Sequence, residues 1–116
     1  MKNKFYVKDK EIGGKSIFFI SEIGNNHNGS FDRAIHMIDL SIQAGVDCVK
    51  FQIRNMKELY ASSKKNSYDL NTEYTIDLLN RMQLSLDEHK KIFEYCKQKN
   101  ITYLCSPWDK ESLKFL

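Results

Sequence analysis

Apolar and polar positions follow two rhythms along this chain, and the rhythms take turns. Short apolar runs at Ser16–Ser21, Val46–Gln52 and Ile101–Ser106 have the length and composition of buried strands. Between them the spacing lengthens. Phe31, Ala34, Ile35, Ile38 and Ile42 fall on one stripe of a helix expected from Phe31 to Ala44, with Ser30 as its N-cap and Gly45 as its stop. A second helix is expected over Thr72–Met82, burying Thr75, Leu78, Leu79 and Met82. Ser85 and Glu88 form a capping box for a third, which runs to Lys99 and ends at Asn100. Asp109 is placed to cap a last helix from Lys110 to Leu116. Phe5 to Gly14 reads as a short hairpin, and the long connection from Ile53 to Leu70 carries a helical turn at Met56–Tyr60.

The order after the hairpin is β-α-β-α-β-α, which implies parallel strands joined by right-handed crossovers. The expected fold class is therefore α/β, with residues 1–15 as an N-terminal hairpin and 16–116 as three βα units. Three parallel strands leave two open edges and one poorly covered face. The chain is accordingly expected to be a fragment of something larger. A short flavodoxin-like domain, the other reading, needs additional strands.

Composition narrows the function. The net charge of +3 comes from 18 basic and 15 acidic residues spread along 116 positions. No basic run exceeds two residues, as at Lys64-Lys65, so no block exists for nucleic acid or a membrane surface. No apolar run is long enough to span a bilayer, and the N-terminus lacks the apolar core of a secretory signal. Cys48, Cys96 and Cys105 are odd in number and show no CxxC spacing, which fits reduced thiols in a cytoplasmic protein. His27, His36 and His89 stand at no zinc-ligand spacing. Gly14-Lys15-Ser16 imitates the end of a phosphate loop, but Asp9 replaces the first glycine and the triplet precedes a strand.

Chemistry gathers at the strand ends. Alternation puts Cys48, Lys50 and Gln52 on one face of the second strand and Val49 and Phe51 on the other. If Val49, Phe51, Ile101 and Tyr103 face the helices, then Glu22, Lys50, Gln52 and Ser106 project together at the C-terminal ends, where α/β enzymes keep their active sites. An unpaired lysine there would cost several kcal/mol of desolvation, which an arriving anion would offset. The competing reading is a structural Glu22–Lys50 ion pair. The loop Gly24–Gly29 has two readings as well: backbone N–H groups turned toward a ligand, or a tight β-to-α turn held by asparagine side chains. His27 either orients a substrate oxygen or is a hydrogen-bonded scaffold residue. His36 is expected in solvent and His89 as a satisfied packing residue.

Three segments carry a resemblance: Ser21-Glu22-Ile23-Gly24-Asn25-Asn26-His27-Asn28-Gly29-Ser30, Ala44-Gly45-Val46-Asp47-Cys48-Val49-Lys50-Phe51-Gln52 and Leu104-Cys105-Ser106-Pro107-Trp108-Asp109. Together they resemble the N-terminal part of the sialic acid synthase family, the N-acetylneuraminate synthases and their legionaminate and pseudaminate relatives. The resemblance implies the N-terminal part of a (β/α)8 TIM barrel that condenses phosphoenolpyruvate with an open-chain N-acyl mannosamine-type sugar and releases phosphate. It implies a divalent metal, Mn2+ or Mg2+, whose ligands lie outside these residues, and a homodimer in which an antifreeze-like domain covers the partner's site. It implies roles for Glu22 in proton handling or water orientation, for Lys50 in neutralising phosphoenolpyruvate, and for Gln52 and Asn71 toward the amino sugar. Ser106 would bond a phosphate oxygen, with Asn26 and His27 in the loop beside the site. The remaining strands and the antifreeze-like domain are absent, so no synthase activity is expected of residues 1–116 by themselves. Two alternatives stand beside this reading: a Schiff-base aldolase using Lys50 as nucleophile, and a non-catalytic chain that associates through its sheet edges.

Overall fold

A computed structural model describes residues 3–60 and 70–116; the side chains of residues 70–72 lie outside the description. The elements run β1 (Phe5–Val7), β2 (Lys10–Ile12), β3 (Ile20–Gly24), α1 (Phe31–Gln43), β4 (Cys48–Ile53), α2 (Met56–Tyr60), α3 (Leu70–Arg81), α4 (Leu86–Gln98), β5 (Thr102–Pro107) and α5 (Lys110–Phe115). β1 and β2 form the expected antiparallel hairpin, turning at Lys8, whose φ is +53°. Among the described residues β3, β4 and β5 form a parallel sheet with β4 in the centre. The fold is α/β, and its parallel βα units are those of a barrel segment.

Caps set the helix ends as the sequence suggests. Ser30 Oγ accepts from the Arg33 N–H at 3.2 Å and opens α1. Ser85 and Glu88 form a reciprocal capping box on α4. Asp109 accepts from the Ser112 N–H at 2.7 Å and opens α5.

The core lies between the sheet and the helices α1 and α4. Ile23, Val49, Phe51 and Ile101 come from the strand side, and Ala34, Ile38, Ile92 and Cys96 from the helices. Phe51 has no exposed surface and lies between the rings of His27 and Tyr103, at centroid distances of 6.0 and 5.9 Å. The two helices are tied to each other where the Tyr95 hydroxyl donates to Asp39 at 2.6 Å. No described helix covers the other face, where Ile20 and Leu104 are 46% and 38% exposed. The hairpin lies at the N-terminal ends of the strands, with Lys10 paired to Asp47 at 3.2 Å.

Two expectations are corrected. The first core strand is Ile20–Gly24, four residues later than Ser16–Ser21 at its start. Before Ile20 the chain is held to the loop ahead of β4: the Phe19 N–H donates to the Asp47 carboxylate and the Phe19 carbonyl accepts from Asp47 and Cys48. This leaves Ile17 and Phe19 mostly exposed. The second correction concerns α3, which does not bury the stripe Thr75, Leu78, Leu79 and Met82. Thr75 and Leu78 are exposed, and Leu79 and Met82 are half-buried. This helix packs on α2 rather than on the sheet.

Candidate active site

Register decides which side chains meet. Glu22 pairs with Lys50 and Lys50 with Leu104; one step on, Gln52 pairs with Ser106. Residues opposite each other in a parallel sheet share a face. Glu22, Lys50, Gln52 and Ser106 are thereby brought to the helix-free face at the C-terminal ends of three strands. A bulge between Glu22 and Gly24 shifts β3 by one residue, so that Gly24 stands beside Phe51. The bulge ends the alternation of β3 just where its carboxylate is delivered.

Glu22 and Lys50 form the ion pair that the alternation allows. Lys50 Nζ lies 2.5 Å from Glu22 Oε2, and the two side chains keep 32% and 48% of their surface exposed. A pair this open contributes little stability, about 0–1 kcal/mol. Its charges therefore remain free to reorganise around a ligand. Gln52 Oε1 accepts from Arg54 Nη2 at 3.0 Å. Its Nε2 and Glu22 Oε1 both lie 3.6 Å from the point that a β-carbon on Gly24 would occupy. Acid and amide thus border one small space above Gly24, and the ammonium holds the other oxygen of the acid. Ser106 sits half-buried on the neighbouring strand.

The loop after β3 is a chain of tight turns. The N–H of Asn26 donates to the Ile23 carbonyl, that of Asn28 to Asn25 and that of Ser30 to His27. The Asn26 carboxamide also donates to the Ile23 carbonyl, at 2.9 Å. These donors are occupied within the loop and do not form a ligand cradle. His27 is 1% exposed, accepts from the Gly29 N–H through Nδ1 at 3.1 Å and stacks on Phe51. It faces the packed side of the sheet, away from Glu22 and Lys50. Burial holds its pKa below the usual histidine value. His89, 2% exposed on α4, is pushed down to about 4, first by burial and then by the nearby His27. Its Nδ1 has no hydrogen-bond partner among the described residues, so its packing is not a satisfied one. His36 is exposed on α1. Asn71 lies in the first turn of α3, and its side chain is outside the described residues.

Arg54 and Trp108 escape a reading that stops at the strand ends. The Arg54 guanidinium sits 4.1 Å from the centre of the Trp108 ring, above the last rung. The signal for it was the period of two, which continues from Lys50 and Gln52 to Arg54. The cysteines show no sign of nucleophilic use. Burial pushes the Cys48 thiol up to about 11 and that of Cys96 to about 12, and raises that of Cys105. Among the described residues no group of three His, Cys, Asp or Glu side chains converges as metal ligands. The donors present do not build a divalent-cation site by themselves. No described helix is long and apolar enough to cross a membrane.

Known proteins resemble this chain in sequence and fold. The chain is 34% identical over 107 residues to N,N'-diacetyllegionaminic acid synthase of Campylobacter jejuni, covering 88% of this chain and 32% of that enzyme. It is 32% identical over 117 residues to N-acetylneuraminate-9-phosphate synthase of Drosophila melanogaster, with 90% and 30% covered. The structure superposes on the crystal structure of an N-acetylneuraminic acid (sialic acid) synthetase from Leptospira borgpetersenii, solved in complex with citrate. The TM-score is 0.81 at 27% identity, covering 100% of this chain and 38% of that one. The chain spans about a third of the length of the curated relatives it matches. The profile of the NeuB family matches residues 37–116, which hold β4, α4 and β5 with Lys50, Gln52 and Ser106. With that match over more than half its length, the chain belongs to the NeuB family.

Proposed function

We propose that this chain forms the first part of a synthase that condenses phosphoenolpyruvate with an N-acyl mannosamine-type sugar, giving a nonulosonic acid and phosphate. The observation that carries the reading is the meeting of Glu22, Lys50 and Gln52 on the helix-free face of the sheet, in a chain of the NeuB family. Residues 1–15 serve as a hairpin at one end of the barrel, and residues 16–116 as its first three βα units. Lys50 supplies a fixed cation for the carboxylate and phosphate of phosphoenolpyruvate. Glu22, adjacent to it, holds a proton or orients water near the reacting carbons. Gln52 and Asn71 bind the amino sugar, and the Ser106 hydroxyl donates to a phosphate oxygen.

A divalent cation, Mn2+ or Mg2+, would polarise the sugar aldehyde. The described donors do not fit such an ion, so its ligands belong outside the described residues. The working protein is cytoplasmic and a homodimer. The geometry also bears on the aldolase alternative. With Glu22 Oε2 2.5 Å from Nζ, Lys50 is already engaged in an ion pair that a Schiff base would have to give up.

A chimera tests the reading: residues 1–116 replace the matching third of the Campylobacter jejuni synthase. The chimera should release phosphate from phosphoenolpyruvate only when the sugar is present. Lys50→Ala should lower that rate at least about 100-fold, the scale of a lost charge-stabilising group, while leaving the fold intact. Borohydride with pyruvate should trap nothing on Lys50. Full activity in the Lys50→Ala chimera, or a trapped adduct, would sink the proposal. Residues 1–116 without the rest should release no phosphate.

A further inference from the structure

Arg54 stands one step beyond the last rung of β4, and its guanidinium is held on several sides. The Trp108 ring lies 4.1 Å from it, and Nη2 donates to Gln52 Oε1 at 3.0 Å. Nε and Nη1 are shut off from solvent with no partner among the described residues. We propose that Arg54 is a positioning residue: it fixes which end of the Gln52 carboxamide faces the space above Gly24.

The inventory of donors and acceptors decides the orientation of the carboxamide. A guanidinium offers five N–H donors and no acceptor, so the carboxamide atom against it must be the oxygen. Flipping the amide would set NH2 against N–H, losing a charge-assisted hydrogen bond and leaving opposed donors in a closed space. Nε2 is consequently turned the other way. It comes 3.6 Å from the point that a β-carbon on Gly24 would fill, and Glu22 Oε1 stands at the same 3.6 Å. Because residue 24 has no β-carbon, that space stays open. It is bordered by a two-hydrogen donor on one side and a carboxylate acceptor on the other. A hydroxyl, which accepts from Nε2 and donates to Glu22, satisfies both; a carbonyl oxygen satisfies only the amide. Arg54 therefore sets the site for a hydroxyl-bearing substrate, although it touches none of the substrate itself.

This inference rests on the reading of Gln52 as a contact of the amino sugar, and the experiment separates the two. The side-chain amide of Gln52 is followed by 15N–1H correlation spectra of the 116-residue chain, with N-acetylmannosamine as the probe. In the wild type the two amide protons should give one sharp pair of cross-peaks that shifts on adding the sugar. In Arg54→Met the pair should move or broaden before any sugar is added, and the apparent affinity should fall about tenfold, as expected for one misoriented hydrogen bond. Arg54→Lys, which keeps a cationic donor, should restore much of the wild-type pattern. Trp108→Ala, at a half-exposed position, should broaden the same pair and serves where Arg54→Met does not fold. Wild-type Gln52 cross-peaks in Arg54→Met, or in Trp108→Ala where that variant stands in, overturn the proposal. Displaced cross-peaks that the sugar moves in neither protein uphold Arg54 as the positioning residue and remove Gln52 from the sugar contact.

Discussion

Lowering the pH from 7 to 5 should destabilise this fold through two histidines that sit behind the sheet. His27 and His89 are 1% and 2% exposed, close enough to influence each other, and both are held neutral by burial. His89 falls from 6.5 to about 4 in the folded chain. A depressed folded-state pKa means that the unfolded chain binds more protons below the unfolded value. The contribution is therefore complete above about pH 6.5 and is lost as pH drops toward 4. A shift of this size corresponds to about 3 kcal/mol, of which about 2 kcal/mol is gone by pH 5. His27 shifts in the same direction and adds to the loss, whereas Glu88, which favours the charged form of both, works against it. Asp47 and Glu88 have carboxyls held below their ordinary values, mainly by backbone N–H groups of Phe19 and Ser85, so their contributions are lost only below about pH 5. Urea unfolding at pH 7, 6 and 5 measures the effect, and His89→Leu should flatten the curve between pH 7 and 5. Equal unfolding free energies at pH 7 and 5 in the wild type, or the same slope in His89→Leu, would refute the reasoning.

Other outcomes follow from individual contacts. Gly29→Ala should cost about 2 kcal/mol or more, measured by thermal unfolding: its φ is +74° and a β-carbon would lie 2.2 Å from the Arg81 carbonyl oxygen, a backbone atom that cannot swing away. Phe51→Ala should cost about 3–5 kcal/mol in urea, because a fully buried ring stacked between His27 and Tyr103 leaves a cavity. Ser85→Ala should cost about 1 kcal/mol by the same assay, the value of one side of a capping box. Lys50→Met should change stability by no more than about 1 kcal/mol, since its pair with Glu22 is half-exposed; a larger loss would mark the pair as structural.

Features that depend on neighbours in sequence were legible from the residues. Ser30, Ser85 with Glu88, and Asp109 cap their helices because a side-chain oxygen needs only the N–H two or three positions on. The strict alternation of Val49–Ile53 placed Lys50 and Gln52 opposite Val49 and Phe51 without any coordinates. The order of strands and helices settled the α/β class for the same reason, since the two periods are intrinsic to the two backbone geometries. What needed the assembled chain depends on partners distant in sequence. β3 begins at Ile20 because Asp47, 28 residues from Phe19, takes the preceding N–H. α3 leaves Thr75 and Leu78 exposed because it packs on α2, and periodicity shows that a face is apolar without showing what it meets. His27 turns behind Phe51, and its loop closes on itself, because hydrogen bonds inside the turn use the donors that a ligand would otherwise need. The period of two carries on to Arg54, but its contacts with Gln52 and with Trp108, 54 residues on, depend on the packing of β4 against the chain after β5.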